Sequence, residues 1–241
     1  MNSVLIVIPA LNEERNIANV LRSIRDADLA ADILVINDGS EDETENIARQ
    51  FGVEVVSHPY NMGYGSALQT SFKYATREGY HYIVQFDADG QHNVKDVDLL
   101  LDAIGDGQYD VLLGSRFLGD HSFHPGWHKM IVIYFFRGII RLLASQRITD
   151  PTSGFRAISR RVFKHYSRFN QFPSDFPDAD IIIDVLLRKW VVREVPIHHA
   201  RRAAGKSMHS GLKPVVYVFK IILSILVVVI NVRLQKRGEH S

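Results

Sequence analysis

An α/β architecture, with a mostly parallel sheet and helices on both faces, is predicted by two patterns in this sequence. Short β-branched apolar runs recur through the first half, at residues 4–8, 33–36, 53–56, 82–86 and 111–113, each bounded by turn residues. Between them apolar residues return at helical spacing, as with Ile17, Val20, Leu21 and Ile24, and again with Leu68, Phe72 and Ala75. Strand–helix alternation of this kind covers a parallel sheet on both sides. Ligands of such sheets bind beyond the carboxyl ends of the strands.

Taking the elements in order, the run at 4–8 passes directly into Pro9 and Asn12-Glu13-Glu14, so it reads as a buried strand rather than a signal segment. The second strand runs into Asn37-Asp38-Gly39-Ser40, and the fourth into Asp87-Ala88-Asp89-Gly90-Gln91-His92. Residues 130–144 are strongly apolar but carry Arg137, Gly138 and Arg141, which suggests a helix lying at an interface. Residues 150–156 are turn chemistry expected to lead into a helix, and 191–197 reads as a final strand. From 215 to 232 the only clearly polar residues are Lys220, Ser224 and Asn231. Eighteen helical residues span roughly 27 Å, just short of a bilayer's hydrocarbon core. The simplest parse is a catalytic domain over 1–212, an apolar helix over 213–234 and a basic polar tail over 235–241.

Composition narrows the function classes. At 241 residues, 46% apolar and 23% charged, the chain suits one large folded domain. The balance of 28 basic against 27 acidic residues gives no global field for nucleic acid. With no cysteine there is no disulfide or thiolate chemistry, which fits a reducing compartment.

Two carboxylates one residue apart, directly after a buried strand, repel unless a cation sits between them or water solvates them. Asp87, Asp89 and Gln91 offer hard oxygen donors suited to Mg²⁺ or Mn²⁺. The alternative is a solvated Asp-rich turn, and His92 reads as a solvated loop histidine more readily than as a ligand. Asp38 has two readings: an acceptor for an imide N–H or a ribose hydroxyl, or the cap of a helix beginning near Glu41. Glu13 divides the same way. Asn61-Met62-Gly63-Tyr64-Gly65-Ser66 is not a G-x-G-x-x-G fingerprint, since Leu68 takes the third glycine position. Its small residues before a helix either let a phosphate or sugar approach the backbone or simply form a turn.

Taken together, residues 9–14, residues 37–40, the Asp87–His92 cluster, Gly114-Ser115-Arg116 and residues 150–156 resemble the inverting family 2 glycosyltransferases. More narrowly they resemble the polyprenyl-phosphate glycosyltransferases, the group containing dolichyl-phosphate mannose synthase and dolichyl-phosphate glucosyltransferase. The resemblance runs over 4–232 and rests on the order and spacing of five motifs. It implies a GT-A fold and a UDP- or GDP-sugar donor. Pro9, Leu11, Glu13 and Asp38 would hold the nucleoside. Gly63 and Asp87 complete the donor site, and Asp87, Asp89 and Gln91 would hold Mg²⁺ or Mn²⁺ and, through it, the diphosphate. Asp89, Arg116 and Arg202 would carry catalysis, the two arginines facing an acceptor phosphate. Arg202-Ala203-Ala204-Gly205-Lys206-Ser207 matches the family's R-x-x-G-x-S pattern, but Met208 stands where a lysine is usual. Lys129, after Trp127, stands where arginine is usual, and a point charge there cannot grip phosphate bidentately.

The expected reaction is transfer of one sugar to a polyprenyl phosphate. That acceptor is already anionic and needs no general base. Two alternatives stand beside it: a glycosyltransferase acting on a saccharide hydroxyl, and a non-catalytic sugar-nucleotide-binding protein. A hydroxyl acceptor would need a carboxylate base, for which Asp178, Asp180 and Asp184 are candidates unless they form a solvated helix face. On a helical wheel, Lys213, Tyr217, Lys220, Ser224 and Asn231 form a narrow polar stripe. Such a stripe fits a membrane helix packing on itself or on the catalytic domain, or one lying in the interface. Basic residues flank both ends, so the positive-inside rule gives no orientation. The expected location is a membrane with the catalytic domain facing the cytoplasm, and homo-oligomerisation through the C-terminal helix stays open.

Overall fold

The computed structural model describes residues 3–105, 107–119, 123, 125–169, 171–173, 177–198 and 213–238. Among these, seven strands form one sheet: β1 (Val4–Ala10), β2 (Asp32–Asn37), β3 (Glu54–Ser57), β4 (Tyr82–Gln85), β5 (Val111–Ser115), β6 (Arg156–Ser159) and β7 (Val192–Pro196). Their order is β3-β2-β1-β4-β6-β5-β7. Every pairing is parallel except those of β6, which runs antiparallel between β4 and β5. Sequence reading expected the turn at 150–156 to lead straight into a helix. Instead four residues of strand intervene before helix α6 (Arg160–Tyr166).

The other helices are α1 (Ile17–Asp26), α2 (Thr44–Gln50), α3 (Tyr64–Glu78), α4 (Lys95–Gly105), α5 (Trp127–Ala144), α7 (Ala179–Leu187) and α8 (Lys213–Gly238). Burial explains why the strands were legible. All seven residues of β1 are buried, as a strand covered on both faces requires. Its alternate side chains feed two cores: Leu5 and Val7 join Phe72 of α3, Phe136 of α5 and α7, while Ile6 and Ile8 join Leu21 of α1 and Leu100 of α4. Each fully buried Ile or Leu contributes about 1.5–3 kcal/mol.

The apolar segment at 130–144, expected as a helix at an interface, is α5, starting three residues earlier at Trp127. It turns Ile133, Phe136 and Ile140 inward, against α7 among others. Helix α8 also packs on α7, through Ile221 and Ile225, and the Ser224 hydroxyl donates to Asp180 at 2.5 Å. Arg188 Nη1 donates to Gln235 Oε1 at 2.9 Å nearer the helix end. Thus α8 lies along α7, with Ser224 of its polar stripe facing that helix and Asn231 exposed.

Candidate active site

The polar loops expected at strand ends do converge at the carboxyl ends of the parallel strands. Pro9 is a buried residue near the end of β1, and half-buried Leu11 follows the strand. Asn12 adopts φ 54°, and its side-chain carbonyl accepts the Glu41 N–H at 2.9 Å. The Glu13 N–H donates to Thr44 Oγ1, and its carboxylate accepts from Asn16 Nδ2 at 2.6 Å. These bonds fix the loop after β1 against the loop after β2.

Asp38 is 3% exposed and does not cap α2, which begins at Thr44. Its Oδ1 accepts the Met62 N–H at 2.9 Å and faces His58 Nδ1 at 2.6 Å, while Oδ2 accepts the Gly63 N–H at 2.9 Å. Asp38 therefore holds the loop that opens α3. Gly63 has φ 97°, which suits glycine, and Gly39 has φ 71°. A Cβ on Gly39 would meet the Tyr60 carbonyl carbon at 2.4 Å, so the two loops touch backbone to backbone.

Asp87 follows β4. Its Oδ1 accepts from the Tyr64 hydroxyl and its Oδ2 pairs with His92 Nε2, both at 3.0 Å. Burial raises the Asp87 carboxyl, but the bond and charge of His92, then Tyr64 and Arg156, outweigh it and hold the group below the usual carboxylate range. Burial, reinforced by Asp87, pushes the Tyr64 phenol well up, so it stays a donor. His92 is not the solvated loop histidine expected. Its side chain is only 8% exposed, stacked on Phe155 at 4.8 Å and edge-on to Phe86 at 5.6 Å. It acts as a positioning group for Asp87. Asp89 accepts the Gln91 N–H at 3.0 Å, which folds the two predicted donors back on each other.

Arg116, after β5, grips buried Asp150 through Nε at 2.6 Å and Nη2 at 2.8 Å, and Nη2 also reaches Thr152 Oγ1. Burial opposes both charges, but each group's bonds to the other prevail, lowering the Asp150 carboxyl and raising the guanidinium. Nη1 is the nitrogen that Asp150 and Thr152 leave unengaged. Glu194 of β7 in turn accepts the N–H groups of Thr149 and Asp150, which fixes the turn carrying Asp150. That turn reaches the acidic cluster: a Cβ on Gly154 would stand 3.2 Å from Asp87 Oδ2.

Of the three candidate bases on one helical stretch, two are not a solvated face. Asp180 accepts from Ser224 and from the Asp178 and Ile181 N–H groups, and Asp184 accepts from Tyr166 and Arg188. Only Asp178 faces the site, 3.8 Å from Arg156, and its charge reaches Tyr64 and Arg116. Arg202 and the rest of its R-x-x-G-x-S segment lie outside the described residues. Exposed Lys129 lies in the first turn of α5.

Sequence reasoning passed over His58, Tyr64 and Glu194 as functional residues. His58 and Tyr64 stand just past a strand end and at a helix start, which is the one signal they carry.

A family model matches the stretch of chain that carries Tyr64, Asp87, His92, Arg116 and Asp150. The model described as glycosyl transferase family 2 aligns with residues 5–167. The chain belongs to glycosyl transferase family 2. Its family relatives include the polyprenol monophosphomannose synthase of Mycolicibacterium smegmatis, 30% identical over 90% of this chain and 84% of the relative. The undecaprenyl-phosphate mannosyltransferase of Micrococcus luteus is 32% identical over 86% of this chain and 88% of that one. Among solved structures, glucosyl-3-phosphoglycerate synthase from Mycobacterium tuberculosis, in complex with Mn²⁺, UDP and glucosyl-3-phosphoglycerate, superposes with TM-score 0.69 at 22% identity. That match covers 94% of this chain and 80% of that structure, and it confirms the expected GT-A fold.

Proposed function

We propose that this family 2 glycosyltransferase moves one sugar from a UDP- or GDP-sugar to a polyprenyl phosphate, with inversion at the anomeric carbon. The single observation carrying this reading is the approach of the turn gripped by Arg116 to Asp87 at the strand ends, close enough for the Asp87 charge to act on the guanidinium. The relatives named for polyprenol and undecaprenyl-phosphate chemistry support the same acceptor.

The donor set fits a divalent cation. Asp87 is held ionised, and each of its oxygens has one described donor, leaving further lone-pair capacity. Among the described residues no three His, Asp, Glu or Cys side chains stand together as a closed metal cage. Such an open set suits Mg²⁺ or Mn²⁺, which fills its remaining positions with phosphate oxygens and water. Asp87, Asp89 and Gln91 would hold the ion, and its chemistry there is to neutralise the diphosphate leaving group.

On this reading the loop after β1 (Pro9, Leu11, Glu13) and Asp38 line the nucleoside site, and Asp38 positions Gly63 beneath the donor. The acceptor phosphate attacks without a general base. Arg116, through Nη1, and Arg202 offset the charge of two converging anions, while tight alignment supplies most of the remaining rate. We assign catalysis to residues 1–212, with 213–234 as the membrane helix and 235–241 as a basic tail, and place the catalytic domain on the cytoplasmic face. The test is a panel of radiolabelled UDP- and GDP-sugars with and without polyprenyl phosphate, in detergent with Mn²⁺. The expected product is a lipid-linked sugar; transfer to saccharide hydroxyls alone would reject the acceptor.

One observation favours that second acceptor. Asp178 stands by Arg156 at the start of α7, where a carboxylate could take a proton from a hydroxyl nucleophile. If the enzyme transfers to saccharide hydroxyls and not to polyprenyl phosphate, and Asp178→Asn removes that transfer, Asp178 is the required base and the second reading replaces the first.

A further inference from the structure

The two longest helices on one side of the sheet carry cations and no carboxylate. α5 and α8 together hold eight basic residues, among them Lys129, Arg141, Lys220 and Arg233, and no acidic one. The remaining residues carry 20 basic against 27 acidic side chains. Nearly neutral overall, the protein is thus strongly polarised.

The same helices expose most of the large apolar side chains found on the surface of the described residues. On α5, Trp127, Tyr134 and Leu142 are 67%, 61% and 81% exposed; on α8, Phe219, Val227 and Leu234 are more than half exposed. Both helices pack on α7 and send their inner residues (Phe136, Ile140, Ile221, Ile225) into one core, so they lie on one side of the sheet. Apolar groups interleaved with cations, without a carboxylate, match an anionic lipid leaflet. A second copy of the same face would instead bring like charges together.

Length and apolarity alone would let residues 218–235 cross a membrane. The packing argues otherwise. Contacts from Ile221 to Gln235 fix about 21 Å of α8 alongside the domain. A spanning α8 would have to break these contacts or draw Asp180, Asp184 and Arg188 into hydrocarbon, where charges are costly.

We infer that α8 lies in the plane of the membrane and that, with α5, it forms a monotopic docking surface for anionic lipid. This inference rests on the lipid-acceptor reading for its biological purpose, but its test requires no sugar transfer. A failed docking assay therefore leaves the acceptor panel standing, and an inert enzyme leaves the docking surface standing.

The absence of cysteine makes the test clean. Gly238→Cys marks the end of α8, and Ser23→Cys, exposed on α1, marks the catalytic domain. Protein added to sealed vesicles containing phosphatidylglycerol should float with them, and both sites should react with an impermeant maleimide from outside. Vesicles of phosphatidylcholine alone should bind about tenfold less. Leu142→Glu, on the outward face of α5, should weaken flotation by about tenfold with an unchanged melting temperature. Gly238→Cys protected until detergent is added, while Ser23→Cys reacts, would overturn the inference in favour of a spanning helix. Equal binding to both lipids, or no binding with the protein self-associating through Leu142, would overturn it too.

Discussion

Arg116 and Asp150 form a bidentate ion pair, Nε to Oδ2 at 2.6 Å and Nη2 to Oδ1 at 2.8 Å, with the carboxylate fully buried. The pair joins the end of β5 to the turn before β6, and it aims the guanidinium's remaining nitrogen. Its buried geometry makes the two partners unequal under mutation. Asp150→Ala leaves a mostly buried cation without its counter-charge and should cost about 3–5 kcal/mol. Arg116→Lys keeps a charge but loses the fork, and should cost about 1–2 kcal/mol while lowering turnover. Urea denaturation of both variants checks the order; a costlier Arg116→Lys would mean that Asp150 depends on the guanidinium fork while the cation is compensated without Asp150.

His92 fixes Asp87 from a slot between Phe86 and Phe155. His92→Phe should retain the ring packing and remove only the bond to Asp87. Groups that orient a metal-binding carboxylate typically contribute about 10–100-fold in metal affinity. The expected result is a rise of that size in the Mn²⁺ concentration needed for release of nucleoside diphosphate, with little change in melting temperature. Asp89→Asn should abolish metal-dependent turnover altogether with the fold intact. An unchanged Mn²⁺ titration in both variants would remove the donor assignment.

These sites were legible in the sequence to different depths. β1 and β2 were plain because strands buried on both faces must be continuous apolar runs. β6 was not, since Arg156-Ala157-Ile158-Ser159 is short and opens on an arginine. That arginine is buried because it donates to the Ser153 and Pro177 carbonyls, partners only the fold supplies. Asp38 and Asp87 could be picked out by their places at strand ends. What they bind could not: His58, Met62 and Tyr64 come from elements 20 or more residues away. Asp180 and Asp184 were misread as a possible solvated face for the same reason. Their spacing is helical, but Ser224 and Tyr166 approach from other helices.

The contact between the loops after β2 and β3 gives a backbone test. Gly39 and Gly52 both have positive φ, 71° and 67°, but only Gly39 abuts another backbone. Gly52→Ala should cost the left-handed penalty alone, about 1–2 kcal/mol. Gly39→Ala adds a clash at 2.4 Å with the Tyr60 carbonyl carbon, so the Asp38-held loop must move. It should be the more destabilising by at least about 1–3 kcal/mol, and donor binding should weaken. Equal melting temperatures for the two variants would show that the loop yields freely.

His165 predicts how the protein responds to acid. Its ring packs edge-on against Trp190 and Tyr166, and buried Nε2 has no hydrogen-bond partner among the described residues. Burial first, then the charge of Arg188, lowers its pKa from 6.5 to about 4. A histidine lowered on folding takes up its proton more readily when unfolded, so acid favours the unfolded chain. The loss begins as pH falls through about 6.5 and is complete near 4. Partial solvent exposure limits its size to about 1–2 kcal/mol. Asp180 works in the opposite direction: burial, which its bond to Ser224 only partly offsets, raises it from 3.8 to about 6, so protonation in that window favours the fold. The two must therefore be separated by variants rather than by wild-type curves. His165→Phe keeps an aromatic ring and has nothing to protonate. It should match the wild type at pH 7.5 and exceed it in melting temperature at pH 5, whereas Asp180→Asn should flatten the opposing limb. A constant difference between His165→Phe and wild type across that range would show that His165 does not carry the acid sensitivity.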